Sequence, residues 1–141
     1  MKIGIMGGTF NPIHNAHLLI AEMAREEYGL DRVIFITDGN PPHKSANVTA
    51  KQRFEMTHIA IADNSAFEED DFEINRSEKS YTVNTLGYLK EKYPNNDLFF
   101  IIGEDSLNDF DKWYKPDKIL EMCSLLVFPR KSLKSLTETI K

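Results

Sequence analysis

The sequence predicts an α/β domain, a doubly wound Rossmann-like fold with a mostly parallel five-stranded sheet. Short apolar runs rich in β-favouring residues recur along the chain, and segments with helical spacing of apolar residues separate them. Runs that are apolar throughout are typical of strands covered on both faces. At 141 residues, 41% of them hydrophobic, the chain fits one compact domain and leaves no room for two.

The five predicted strands are short apolar runs, most of them continuous, at residues 3–6, 33–36, 72–74, 98–102 and 125–128. An acidic run, residues 68–71, precedes the third of them. Its spacing does not match a calcium-type ligand set, so we interpret it as a solvated surface turn. Strands that alternate with helices in this way form a doubly wound sheet.

Four helices are predicted between the strands. The first has one apolar face and ends at Gly29, with Ala16, Leu19, Ile20, Met23 and Ala24 on that face. The second begins at Thr49, which forms a capping box with Gln52, and its predicted apolar face consists of Phe54, Ile59, Ile61 and Ala62. The third spans residues 82–93, and the fourth opens at Pro116 and carries Ile119, Leu120 and Met122.

Charge and cysteine content narrow the class of protein. A net charge of −5 offers no basic surface for a nucleic acid or an anionic membrane. No apolar run approaches the roughly 18 residues of a membrane span, and no leader pattern is seen at the start. The single cysteine, Cys123, is predicted to be a small buried hydrophobe, which suits a cytoplasmic location. The sequence leaves open whether the chain forms a homo-oligomer.

Residues 7–17 carry the strongest chemical signal. Gly7 and Gly8 follow the first predicted strand, where a doubly wound fold presents backbone N–H groups to anionic ligands. The spacing matches neither the dinucleotide fingerprint nor a P-loop. Instead His14 and His17 lie three residues apart at the start of the first helix, facing a bound phosphate. The alternative is a stiff turn whose histidines cap backbone groups, but so many such residues in one turn favour a phosphate site.

This stretch resembles the signature of the nucleotidyltransferase superfamily that has a His-x-Gly-His motif, with Ala16 in the place of the motif's glycine. Three further segments resemble bacterial nicotinate-nucleotide adenylyltransferases within that superfamily. They are residues 41–44 (Pro-Pro-His-Lys), residues 80–82 (Ser-Tyr-Thr) and residues 103–106 (Gly-Glu-Asp-Ser) followed by Trp113. The resemblance covers residues 2–130.

The resemblance implies that the chain transfers the adenylyl group of ATP to nicotinate mononucleotide, giving nicotinate adenine dinucleotide and pyrophosphate. It implies Mg²⁺ bound with ATP, and no metal site built by the protein. The catalytic residues would be His14, His17 and Lys44. The ATP contacts would be Gly7, Gly8, Thr9, Phe10, Gly103, Asp105 and Ser106. The nicotinate mononucleotide contacts would be Lys44, Tyr81, Thr82, Asp105 and Trp113.

Several alternatives stay open. Another transferase of the superfamily, acting on phosphopantetheine or using CTP, has the same first motif, and a non-catalytic mononucleotide-binding module would share the pocket. Trp113 could equally cover a helix end, and Asp105 could be an N-cap. Arg53 and Arg76 could contact phosphate or be surface charges.

The domain is predicted to span residues 1–130, with residues 131–141 a tail of uncertain structure. The family has an ATP-binding segment near its C-terminus for which we find no counterpart in this chain. We therefore expect either a fragment of a longer enzyme or a different way of holding ATP.

Overall fold

The computed structural model describes residues 1–8, 10, 13, 15–39, 49–75 and 81–128. Its five strands are β1 (Lys2–Gly8), β2 (Arg32–Thr37), β3 (Phe67–Asp70), β4 (Asp97–Gly103) and β5 (Ser124–Phe128). Its helices are α1 (Asn15–Tyr28), α2 (Ala50–Ile61), α3 (Thr82–Lys92), α4 (Glu104–Asn108) and α5 (Pro116–Met122), with a 3₁₀ turn at Phe110–Lys112.

The strands form one parallel sheet in the order β3-β2-β1-β4-β5. This order confirms the predicted doubly wound fold. The chain winds outward from β1 through β2 to β3, then crosses to β4 on the other side of β1. The two halves therefore diverge between β1 and β4, which is the point where such sheets bind ligands.

Helices cover both faces of the sheet and create two apolar cores. One core includes Phe35 of β2 together with Ala21 and Ala24 of α1. The other packs Ile34 of β2 against Leu86 and Leu89 of α3. The alternation of neighbouring residues between the two cores explains why β2 is apolar throughout residues 33–36. No helix within the described ranges has both the length and the apolar character needed to cross a membrane.

The predicted helix boundaries are largely confirmed. Gly29 follows α1 with φ of 66°, a left-handed conformation that glycine adopts without the steric cost a side chain adds. The capping box of α2 is present, because Gln52 N donates to Thr49 Oγ1 at 3.1 Å and Thr49 N donates to Gln52 Oε1 at 3.0 Å. Ala16 lies within α1 and is buried, so alanine fits the motif's glycine position as a helical residue. Pro116 opens α5 as expected.

The predicted third strand at residues 72–74 is wrong. The strand is instead Phe67–Asp70, which contains most of the acidic run we interpreted as a solvated turn. Each acidic side chain in it has a basic partner on a different element, at N–O distances of 2.7 to 2.8 Å: Glu68 with Arg32, Glu69 with His58, and Asp70 with Lys92. These long-range pairs allow an acidic segment to lie in the sheet.

Asp70 is the most buried of these carboxyl groups, at 4% exposure. Its Oδ2 also accepts from the Tyr88 hydroxyl, and its Oδ1 accepts from the Phe72 backbone N–H. The hydrogen bond to Asp70 raises the pKa of Lys92, so the Lys92 ammonium stays charged at neutral pH. Asp70 thus ties the end of β3 to α3.

The predicted apolar face of α2 is only partly confirmed, because Ile61 is buried but two other predicted residues are exposed. Ile59 is 75% exposed, and Ala62 is exposed as well, whereas Arg53, Thr57 and Ile61 face inward. The error arises because Arg53 is buried while two apolar residues point outward, which apolar spacing cannot anticipate. Leu120 of α5 is likewise exposed, and α4 and the 3₁₀ turn were not predicted.

Cys123 is half-buried against the core on the α3 side of the sheet, where its thiol lies 3.4 Å from the Ile119 carbonyl oxygen. Burial raises the pKa of the Cys123 thiol to about 11. At pH 8 we expect the folded chain to react with a disulfide reagent about 100-fold more slowly than the chain in denaturant, because only the thiolate reacts. The rate should rise about tenfold per pH unit up to pH 11. Equal rates in the two states would contradict this prediction.

Candidate active site

A cavity of about 460 Å³ lies at the carboxyl ends of the central strands. We call it the central cavity. Its walls combine residues from β1, β2, β4, α1 and α3, and it opens where the two halves of the sheet diverge. Its size falls within the range of small-molecule pockets, and its position is the one expected for a ligand in an open α/β sheet.

The end of β1 and the start of α1 form one wall. Gly7 and Gly8, which were predicted to follow the first strand, are the last two residues of β1. Gly7, Gly8 and His17 line the central cavity, with His17 in the first turn of α1. The Phe10 ring is buried and meets the His17 imidazole edge-on, with ring centroids 5.2 Å apart. A Cβ at Gly8 would come within 3.1 Å of that ring, so glycine leaves room for Phe10 beside His17. The local sequence thereby fixes where the imidazole lies.

Phe10 adopts φ of 48°, a left-handed conformation that is rare for a bulky side chain. Such strain persists where surrounding packing holds it, and it concentrates at functional sites. Here the packing is supplied by His17 and by Phe35 of β2, whose ring centroid lies 6.0 Å from that of Phe10. The strained residue is therefore part of the support of His17.

The opposite wall comes from β4 and the segment after it. Gly103 ends β4 and is the N-cap of α4, and both Gly103 and Ser106 line the central cavity. Trp113 also lines it, with its ring against Phe100 at 6.0 Å and Phe110 at 5.0 Å between centroids. Trp113 is thus held by packing and still presents a surface to the cavity, which unites the two interpretations of this residue.

The structure also places residues in the central cavity that the sequence analysis missed: Asp38, Glu73 and Thr85. Asp38 follows β2 at its carboxyl end, so strand position alone could have indicated it. Glu73 lies in the turn after β3, where the misplaced strand concealed it. Thr85 is one helical turn after Thr82 and shares its side of α3.

Arg53 resolves an alternative that the sequence left open. It is 1% exposed, and its Nη1 donates to the Asp38 backbone oxygen at 2.7 Å. Burial lowers the pKa of Arg53, and the Asp38 charge opposes that effect. Arg53 is therefore not a surface charge. It holds the segment after β2 from behind the cavity wall.

The predicted site residues divide into three groups. Those that line the central cavity are Gly7, Gly8, His17, Thr82, Gly103, Ser106 and Trp113. Phe10 is buried behind His17, Tyr81 is the N-cap of α3 with its ring 4.6 Å from that of Tyr114, and Asp105 is exposed on α4. Thr9, His14, Lys44 and Arg76 lie outside the described residues. Gly103, not Asp105, is the N-cap of α4.

The described cavity wall suits a ligand with several different parts. Gly7 and Gly8 at the end of β1 and His17 at the start of α1 bring backbone atoms and an imidazole to the cavity, and such groups suit a phosphate. Trp113 offers a flat aromatic surface, and Thr82 offers a hydroxyl group. In the described residues, no cluster of three or more His, Cys, Asp or Glu side chains is arranged to hold a metal ion.

The chain is similar to known proteins along almost its whole length. The sequence model of the cytidylyltransferase-like family matches residues 5–140. A protein of Citrifermentans bemidjiense named "Probable nicotinate-nucleotide adenylyltransferase" is 47% identical over 99% of this chain and 67% of its own length. A protein of Pelobacter propionicus with the same name is 51% identical over 92% of this chain and 61% of its own length. The chain thus spans about two thirds of the length of these relatives.

Among solved structures, the nicotinic acid mononucleotide adenylyltransferase of Plasmodium falciparum complexed with NaAD superposes with a TM-score of 0.78. The match covers 95% of this chain and 70% of the other at 23% identity, and at that identity it supports the fold alone. The sequence matches show that the chain belongs to the cytidylyltransferase-like family and, within it, to the nicotinate-nucleotide adenylyltransferases.

Proposed function

We propose that this chain transfers the adenylyl group of ATP to nicotinate mononucleotide, releasing pyrophosphate and forming nicotinate adenine dinucleotide. The observation that carries the proposal is the lining of the central cavity. Gly7, Gly8 and His17 lie on one side of it, and Thr82 and Trp113 lie on the other. The names of the close relatives support the same reaction. The relatives' names also favour the nicotinate acceptor over phosphopantetheine or CTP chemistry.

In the proposed reaction, a phosphate oxygen of nicotinate mononucleotide attacks the α-phosphorus of ATP. A new bond forms between that oxygen and the α-phosphorus, and the bond from the α-phosphorus to the bridging oxygen of the β-phosphate breaks. Pyrophosphate leaves with the electron pair. The attacking phosphate is already ionised at neutral pH, so the step needs positioning and charge stabilisation and no general base.

The residues have separate roles in this proposal. Gly7, Gly8 and the imidazole of His17 line the part of the cavity assigned to the triphosphate, where negative charge would develop on the phosphoryl oxygens. The resemblance also implies phosphate contacts for Lys44 and His14, which lie outside the described residues. Mg²⁺ arrives with ATP as part of the substrate. Gly103, Asp105 and Ser106 border the nucleotide after β4.

Thr82, Tyr81 and Trp113 form the proposed nicotinate side. A pyridinium ring carries a positive charge and is well held against an aromatic face. The Thr82 hydroxyl is suited to donate to the nicotinate carboxylate. A cytoplasmic site of action is part of the proposal and is supported by a single cysteine, Cys123, that is kept as a protonated thiol.

The experiment that tests the proposal uses Trp113, the one tryptophan of the chain, as its probe. Because Trp113 lines the central cavity, nicotinate mononucleotide should change its fluorescence in a saturable way, and ATP with Mg²⁺ should then yield pyrophosphate and the dinucleotide. Nicotinamide mononucleotide serves as the matched ligand that lacks the carboxylate. Turnover with phosphopantetheine or a CTP-dependent acceptor, and none with nicotinate mononucleotide, would overturn the proposal. Saturable binding without turnover would replace it with a mononucleotide-binding module.

A further inference from the structure

One hydrogen-bonded pair in the wall of the central cavity has no role in the proposed reaction. The Thr85 hydroxyl donates to Glu73 Oε2 at 2.6 Å, and both residues line the cavity. Thr85 is 4% exposed. A short hydrogen bond to a carboxylate in a partly dry site is stronger than a bond between neutral groups. The pair joins the turn after β3 to the second turn of α3.

Three segments of the site meet at Glu73. A Cβ on Gly39 would lie 2.2 Å from the Glu73 carbonyl oxygen, so the backbone after β2 packs directly on the backbone of Glu73. On the other side, the Glu73 carboxylate contacts α3 through Thr85. Glu73 therefore sets the distance between the segment after β2 and the start of α3.

The start of α3 depends on contacts of this kind. Its N-cap residue, Tyr81, makes no side-chain capping hydrogen bond, and the first turn is closed by backbone bonds from Asn84 N and Thr85 N to the Tyr81 oxygen. A carboxylate close to a helix N-terminus is also favoured by the helix dipole. Thr82, one turn before Thr85 on the same side of the helix, is the residue that this arrangement places in the cavity.

We infer that Glu73 and Thr85 are positioning residues that hold the first turn of α3 so that the Thr82 hydroxyl meets the nicotinate carboxylate. This inference rests on the proposed function for its ligand. Neither residue needs to touch the substrate for the effect. The pair should therefore control the affinity for nicotinate mononucleotide and leave both the affinity for ATP and the chemical step nearly unchanged, because the triphosphate lies on the β1 side of the cavity.

The test compares Thr85→Val, which removes the hydroxyl group at nearly constant volume, with Thr85→Ser, which retains it. We expect Thr85→Val to raise the KM for nicotinate mononucleotide about tenfold, while kcat and the KM for ATP change less than about twofold. Thr85→Ser should restore the KM to within about threefold of the original value. Glu73→Gln, which keeps an acceptor and loses the charge, should give an intermediate KM.

Tyr88→Phe is the matched control on the same helix. It removes the hydroxyl group that donates to Asp70, and Tyr88 does not line the central cavity. This variant should lower the melting temperature and leave every KM unchanged. If Tyr88→Phe and Thr85→Val raised the KM equally, the effect would be one of general helix stability and the inference would be wrong.

Amide hydrogen exchange separates this inference from the proposed function, since it requires no ligand. In Thr85→Val the amides of residues 84–86 should exchange about tenfold faster than in the original chain, and in Thr85→Ser they should not. If the chain neither binds nicotinate mononucleotide nor turns it over, the proposed function fails while the exchange data still test the positioning. Unchanged exchange in Thr85→Val would overturn the inference, as would an unchanged KM in an active chain.

Discussion

Replacing His17 with alanine is expected to lower kcat by at least about 100-fold and to leave the fold intact. His17 lines the central cavity together with Gly7 and Gly8, and the Phe10 ring packs against the His17 imidazole. A contact that strengthens as charge develops on the α-phosphate stabilises the transition state more than the bound substrates. Its loss should therefore appear in kcat more than in either KM.

The control for His17→Ala is His58→Ala. The His58 side chain is 73% exposed on α2, outside the central cavity, and its partner is Glu69. Both variants remove one imidazole group. A difference between them therefore reports the location of the histidine and not the mere loss of an imidazole. Initial rates of pyrophosphate release and melting temperatures should be measured for both. An unchanged kcat in His17→Ala would remove His17 from the mechanism.

Arg53→Met should reduce the free energy of unfolding by about 2–4 kcal/mol. Methionine replaces much of the volume of the buried side chain and supplies no donor. The Asp38 backbone oxygen, which accepts from Arg53 Nη1, would then lose that donor inside the protein. Since Asp38 lines the central cavity, the variant should also weaken substrate binding.

Lys51→Met is the matched control, because Lys51 is exposed on the same helix. Both variants remove one positive charge and introduce a methionine. Urea unfolding should show a change of less than about 0.5 kcal/mol for this variant. If the two variants unfolded at the same urea concentration, the hydrogen bond between Arg53 and Asp38 would make no contribution to stability. A loss of stability without a change in substrate binding would show that Arg53 stabilises the fold and does not shape the cavity.

The sequence could predict those parts of the site that depend on neighbours along the chain. Gly7 and Gly8 end β1 and His17 lies in the first turn of α1, so a short stretch of sequence brings all three to the same cavity. Gly103 and Ser106 follow a strand whose apolar run is unmistakable. The sheet class followed from the same local patterns, because strands covered on both faces have a distinctive composition.

The remainder depends on contacts between distant segments. Strand β3 is acidic, and its place in the sheet depends on cations from β2, α2 and α3, which no local pattern reveals. Once that strand was misplaced, Glu73 could not be recognised as a cavity residue. Arg53 was undecided for a similar reason, since its partner is a backbone oxygen 15 residues earlier. Burial of a charge is determined by its partners and cannot be derived from its own position.

The acidic composition of β3 has a consequence for how the molecule behaves at high concentration. Within the described residues β3 is an edge of the sheet, and an edge strand can pair with a strand from a second molecule. This strand has only four residues, and its charged side chains point inward on both faces, toward α2 through Glu69 and toward α3 through Asp70. A foreign strand added there could not continue the apolar layers of the sheet. The residues that attach β3 to its own fold thereby discourage aggregation along this edge.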